Sequence, residues 1–299
     1  MKKICIVLAL TLTLLSMTSC SKPNDNNPAS ENEEKYNSLV CDMYNDGIIE
    51  RAEVDFWDGT SSTKDNIGNK NCRVLDNIYV GKYDYSRTNR LMSYTTDMYY
   101  DYEKHIMFGL NDATGELVSI NLLNEEFYYA EVELPELLYE DILSLATKIA
   151  SVYVEDISEY TRTVEEKRYE THLDGEACQH LHYLIKFTRY LNGFPTSDYI
   201  SLRISSKGSL GTLSLGDINA FKNVNLDIDL KKISESISNK ITSTYTNRNF
   251  TVNEYNIERQ ELAVTPDGKV CVYSGVMITG NTHLDEDTYT GIGIITMLE

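Results

Sequence analysis

Three side chains able to bind a metal or carry a proton fall at alternate positions: Cys178, His180 and His182. Successive side chains of a β-strand point to opposite faces, so residues two apart share one face. A thiolate and two imidazoles so placed are ligands of the kind that hold zinc or copper. His172 lies a few residues upstream. The same segment carries a second pattern. Leu181, Tyr183, Ile185 and Phe187 form an apolar face opposite His180, His182, Lys186 and Thr188. The histidines are therefore expected on a solvated strand surface with no bound metal, since a closed site also needs a fourth ligand and partners that orient the others.

Little else in the chain suggests chemistry. Asp55, Asp58 and Asn66 offer oxygen ligands in a loop, but their spacing is not that of a calcium-binding EF-hand, so a polar turn is expected. There is no H-E-x-x-H zinc-peptidase motif, no G-x-S-x-G nucleophile elbow and no phosphate-binding P-loop. Gly291-Ile292-Gly293 lacks the remaining glycine of a dinucleotide-binding turn and lies in a strand pattern. The five histidines are few, and none stands beside a recognisable nucleophile motif. No catalytic residue and no cofactor is assigned. The expectation is a non-catalytic module that binds a protein or peptide; the alternatives are a hydrolase without a legible motif and a metal or solute carrier.

The elements that would position these residues alternate between strands and helices. Residues 36–133 read as β-rich with long loops. Two apolar runs, His105–Leu110 and Glu116–Leu123, flank Asn111-Asp112-Ala113-Thr114-Gly115, a hairpin signal. Leu138, Ile142, Leu145, Ile149 and Tyr153 step by four and three, which predicts a helix over 135–153. Strands are expected around 181–188, 199–204 and 209–215, with breaks at Asn192-Gly193-Phe194-Pro195 and Ser206-Lys207-Gly208. The order then recurs. Asp229 can cap a helix with the stripe Leu230, Ile233, Ile237, Ile241 and Tyr245, and strands follow at 254–264, 270–279 and 289–298. Sliding the chain by 92 residues lays Leu138 on Leu230 and Tyr153 on Tyr245. The expected fold class is α+β, with antiparallel sheets each packed by one helix, one unit over 134–222 and another over 226–299.

Helix, strand, Phe187-Thr188-Arg189-Tyr190-Leu191-Asn192-Gly193-Phe194-Pro195-Thr196, then a strand ending near Gly208, resembles the PepSY-type repeats of Gram-positive envelope lipoproteins, including the YcdB/YcdC-like group. Thr265-Pro266-Asp267-Gly268-Lys269 between strands is similar in the second unit. The resemblance covers about residues 134–299. It implies a cystatin-like helix-on-sheet fold and repeats that bind or restrain extracytoplasmic proteins, often peptidases. It brings no catalytic residues.

The N-terminus gives an address. Met1-Lys2-Lys3 precedes the 12-residue apolar run Ile4–Leu15, which is too short for a membrane span of about 20 residues and reads as the core of a secretory signal peptide over 1–19. Met17-Thr18-Ser19-Cys20 resembles the lipobox of bacterial lipoproteins, with Met17 where leucine is usual. The resemblance implies cleavage before Cys20, a diacylglyceryl group on its thiol and a further acyl chain, palmitate among them, on its amino group. Each buried CH₂ then adds about 0.8 kcal/mol to membrane attachment. Residues 20–35 are almost free of apolar side chains and read as a tether reaching about 20 Å.

Loss of the signal leaves 25 basic against 46 acidic residues, a net charge of −21. Such a chain is repelled by nucleic acid and anionic head groups and would attract cations and basic partners, but the acids are expected chiefly to keep an exposed protein soluble. Four cysteines remain besides Cys20, with Cys41–Cys72 and Cys178–Cys271 the favoured pairing and four free thiols the alternative. The 22 tyrosines, against 7 phenylalanines, suit strands with one wet face.

Overall fold

A computed structural model describes residues 60–298, except 66, 89–90, 247–249 and 283–286. The signal, the lipobox, Cys41, Asp55, Asp58, Asn66 and His283 therefore lie outside the described residues.

Six strands open the described chain: β1 (Thr60–Ser62), β2 (Lys70–Val74), β3 (Asn77–Thr88), β4 (Thr95–Asp101), β5 (Ile106–Asn111) and β6 (Leu117–Asn121). Two helices follow, α1 (Glu125–Val132) and α2 (Tyr139–Ala150). Then come β7 (Tyr160–Leu173), β8 (Glu176–Leu191), β9 (Phe194–Ser205) and β10 (Leu210–Leu215). The last elements are α3 (Leu230–Tyr245), β11 (Phe250–Val264), β12 (Val270–Thr282) and β13 (Asp287–Met297).

The strands form one 13-stranded sheet in the order β1-β3-β4-β5-β6-β10-β9-β11-β12-β13, with β2 on β3 and the β7–β8 hairpin joined to β9. This overturns the expected α+β architecture of separate helix-covered sheets, and with it the cystatin-like and PepSY-like repeat fold. Two pairings are responsible. β6 runs antiparallel to β10, with Ile120 opposite Leu213, so the N-terminal strands continue the sheet that was expected to stand alone over 134–222. β11 joins β9 in parallel at Leu262 and Thr196, which makes the sheet mixed. Side-chain alternation reports which face of a strand is apolar, but not which neighbour takes its edge.

Contacts divide the chain into a larger unit, 60–237 with 259–274 and 294–298, and a smaller one, 238–258 with 275–293. The larger unit's core holds the fully buried Phe108, Ile120, Ile185, Ile200, Leu202, Ile204 and Leu213 of the sheet. Across them α2 lays Ile142, Leu143, Ala146, Ile149 and Ala150. The helix is shorter than its stripe. Leu138 is its extended N-cap, 75% exposed, and Tyr153 lies beyond its end. The backbone N–H of Leu137 donates to the Ser206 carbonyl at 2.8 Å, which holds the chain extended just before the helix.

Several local readings agree with the structure. Asp229 Oδ1 accepts from the amides of Lys231 and Lys232 at 3.0 and 3.1 Å, capping α3. Its residues Ile233, Ile237, Ile241 and Tyr245 are buried. Asn111 Oδ1 takes the amides of Ala113 and Thr114 and closes the β5–β6 turn. Asp174-Gly175 (φ 53 and 84°) and Asn192-Gly193 (φ 51 and 84°) are two-residue turns with both centres left-handed, the form that matches the twist of hairpin strands.

The β7–β8 hairpin is longer than the strand it joins. β8 pairs with β9 only from His182, opposite Ser205, onward. Residues 176–180 pair with β7 alone and form a two-stranded ribbon beyond the end of β9, while the Leu181 carbonyl still accepts from the Ser206 amide at 2.7 Å.

Candidate functional site

Helix α1 lies over that ribbon and is held at both ends. Asn124 Oδ1 accepts from the Phe127 amide at 2.7 Å, with Glu125 and Glu126 in the first turn, where the helix dipole favours anions. At the other end Lys207 Nζ donates to the carbonyls of Glu131 and Val132, placing a cation on the negative end of the dipole. The Tyr129 hydroxyl donates to Asp174 Oδ1 at 2.9 Å, tying the helix to the hairpin tip.

The face shared by Cys178, His180 and His182 is not solvated as expected. His180 is 7% exposed and His182 fully buried, because α1 covers this side of the ribbon. The ring of Tyr128 meets His180 edge-on at 4.8 Å, and Tyr169 meets His182 at 5.4 Å. Cys178 is half-buried and stands outside the cluster. Its place is taken by Glu131, 2% exposed, whose Oε2 is 3.9 Å from His180 Nδ1 and 3.7 Å from His182 Nε2. One ligand-type atom from each residue falls within 4.8 Å of the others. Glu131 was not singled out in the sequence, although Asn124 followed by two acids is a helix-start signal.

Arg203 decides what this cluster can do. Its Nε donates to His182 Nδ1 at 2.9 Å while its guanidinium lies 3.7 Å over the Tyr169 ring. A nitrogen that accepts from arginine carries no proton, so the proton of neutral His182 sits on Nε2, facing Glu131. Nε2 then has no lone pair for a metal, and the Arg203 and Lys207 charges further disfavour a cation. Burial pushes the His182 imidazole down to about 3, reinforced by Arg203 and His180. Burial also lowers His180, against the opposing pull of Glu131. Glu131 Oε1, His182 Nε2 and Arg203 Nη2 are buried without a hydrogen-bond partner.

Thr171 Oγ1 and His180 Nε2 are 2.8 Å apart, a hydroxyl–imidazole contact of the kind that activates a nucleophile. The third member is missing: Glu131 is 3.9 Å from His180 Nδ1, beyond hydrogen-bond reach, so nothing orients the ring as a base. His172 and His105 are exposed, the latter 3.0 Å from the Tyr100 hydroxyl.

Two further buried carboxylates, Asp198 and Asp217, are braces. Asp198 accepts from Tyr160 Oη at 2.7 Å, Arg189 Nε at 2.8 Å and the Asn219 amide at 3.0 Å. Asp217 accepts from the amide and hydroxyl of Ser93 and from Ser197 Oγ. Cys72, Cys178 and Cys271 are free thiols, so the expected Cys178–Cys271 bridge is not formed. Cys271 is buried on β12 beside the Ala263 carbonyl, whereas Cys178 belongs to the ribbon, opposite Thr171. Burial pushes the Cys72 thiol up to about 12 and the Cys271 thiol to about 11, which makes both inert.

No protein-family model matches the chain, and no curated protein or solved structure matches it.

Beside the cluster lies an exposed apolar strip. Val132, Leu134, Leu137, Leu138 and Tyr139 are all exposed, alternating with exposed Glu133, Glu136, Glu140 and Asp141. From Glu125 to Asp141 there are seven acids and no basic residue. The strip is held in shape by the bonds from Leu137 to Ser206 and from Lys207 to the end of α1, and by Tyr139 against Tyr183 at 5.4 Å. Gly208 (φ +87°) turns under it, where an added Cβ would stand 2.7 Å from Leu137.

Proposed function

We propose that the chain is a lipid-anchored extracytoplasmic lipoprotein whose folded part binds, without catalysis, a basic amphipathic segment of an envelope or secreted protein. The observation that carries this reading is the fixed, exposed strip Val132–Tyr139 among acids. Clustered apolar side chains outside the core mark interaction surfaces, whereas scattered ones do not. Full burial of a leucine is worth about 1.5–3 kcal/mol, so covering what Leu134, Leu137 and Leu138 still expose (43, 41 and 75%) supplies about 2–5 kcal/mol before the cost of association.

The surrounding charge selects the partner. Anionic lipid head groups and a second copy of this acidic chain would both be repelled, while lysines or arginines flanking an apolar stripe would be drawn in. Strand addition at β7 is a weaker mode. Its exposed Arg162, Glu165, Glu166, Arg168 and Glu170 give the edge the charged character that discourages pairing.

The test is a titration with two designed helical peptides that share one leucine stripe, one with lysine flanks and one with glutamate flanks. The lysine peptide should bind and the glutamate peptide should not, and Glu133→Lys with Glu136→Lys should weaken the lysine peptide at least tenfold. Equal binding of both peptides would refute the reading.

A further inference from the structure

We propose that Glu131, His180, His182 and Arg203 form an acid-operated latch that holds α1, and with it the start of the apolar strip, onto the β7–β8 ribbon. The consequence for binding rests on the strip being the binding surface; the latch itself does not.

The groups facing the two imidazoles come from every element around them. α1 contributes Phe127, Tyr128 and Glu131. β7 contributes Tyr169 and Thr171, with Lys167 opposite His182 in register. β9 contributes Arg203 and Ser205, and Lys207 follows in the turn. At neutral pH the cluster has one carboxylate, Glu131, between two cations, Arg203 and Lys207. His182 has no nitrogen on which to accept a second proton: Nε2 already carries one, and Nδ1 is taken by the Arg203 N–H. Protonation therefore requires the Arg203–His182 bond to break. It also adds positive charge beside Arg203 and Lys207 in a space closed to water.

In the open state both rings return to the ordinary imidazole range near 6.5. Both are depressed when closed, so the closed state is fully favoured above about pH 6.5 and loses ground as pH falls toward 3. His182 shifts the open-to-closed ratio by about tenfold per pH unit in that window, and His180 adds to it in the same direction. Release of α1 would move Val132 and withdraw Lys207 from the strip's base, which makes the strip a surface for neutral rather than acid conditions.

The experiment is hydrogen exchange of the full chain, corrected for the intrinsic pH dependence of amide exchange. Protection of α1 should fall at least about tenfold between pH 7.5 and 5.5, while that of α2 changes little. The His180→Gln, His182→Gln double variant keeps a neutral donor and acceptor at each site and should give a flat profile. If it does not fold at pH 7.5, His182→Gln alone should remove the roughly tenfold change that His182 contributes. Constant α1 protection in the wild type, or a fall that persists undiminished in the variants, overturns the latch. So does added Zn²⁺ protecting α1 in a way that His182→Gln abolishes, since that would make the cluster a metal centre. None of these readouts needs a peptide partner, so they are independent of the strip's binding.

Discussion

Arg203 Nε stands 2.9 Å from His182 Nδ1, and that single bond fixes which imidazole nitrogen is turned toward Glu131. Two histidines at alternate strand positions with a nearby carboxylate would otherwise read as a zinc site. With Nδ1 occupied as an acceptor, the ring presents an N–H to Glu131 and offers a cation no lone pair.

Replacing the arginine should reverse that preference. Arg203→Met keeps the chain length and removes the donor, leaving His182 free to carry its proton on Nδ1 and present a lone pair to Glu131. The variant should take up Co²⁺ with visible tetrahedral absorption, and the wild type should not. It should also lose about 2 kcal/mol of stability, since a buried acceptor loses its donor. Equal cobalt binding by both proteins would defeat the tautomer argument.

Asp198 is expected to be the most sensitive buried charge. It bonds Tyr160, Arg189 and the Asn219 amide and is fully buried. Asp198→Asn should lower the urea midpoint by an amount equivalent to about 3–5 kcal/mol with an unchanged slope, because it leaves Arg189 partly uncompensated. Glu159→Gln, at the half-exposed end of the same arginine, should cost under about 1 kcal/mol. Similar losses from both would show that burial does not set the difference.

Close packing gives a control that involves no charge. A Cβ at Gly216 would stand 1.9 Å from the Ser197 carbonyl and 2.7 Å from the Tyr199 ring, so Gly216→Ala must move backbone. We expect a loss of about 3 kcal/mol by thermal or urea unfolding. Gly68→Ala, which meets nothing within 4 Å, should be near neutral.

The anchor has its own test. Cys20→Ala should abolish fatty-acid labelling and leave the protein unprocessed or released from the membrane fraction. A variant that stays membrane-bound, from an unlabelled wild type, would remove the lipoprotein reading.

Much of the local structure was legible in the sequence. The Asp229 cap, the Asn111 and Asn192-Gly193 turns and the strands around Ile185, Leu202 and Val272 follow from spacing and turn chemistry. Pairing was not. Nothing in the alternation of Ile120 or Leu213 says that their strands are neighbours, so one sheet read as several. The stripe through Leu138 and Ile142 gave a helix but not its start, which the Leu137–Ser206 bond sets from another element. The histidine face failed for a related reason. An apolar face at Tyr183 and Ile185 implies a wet face at His182 only if nothing covers it, and α1 does. That helix was missed because Glu125–Val132 mixes acids and tyrosines without a stripe, and Glu131 was missed with it.

If the strip Val132–Tyr139 is the binding surface, its outermost leucines must carry affinity. Isothermal titration of the lysine-flanked peptide into wild type and into Leu137→Asp with Leu138→Asp measures this. Leu138 is 75% exposed and Leu137 41%, so the double variant should unfold at nearly the wild-type temperature. It should bind at least thirtyfold more weakly, equivalent to about 2 kcal/mol. Undiminished affinity in a variant of wild-type stability would place binding elsewhere on the protein.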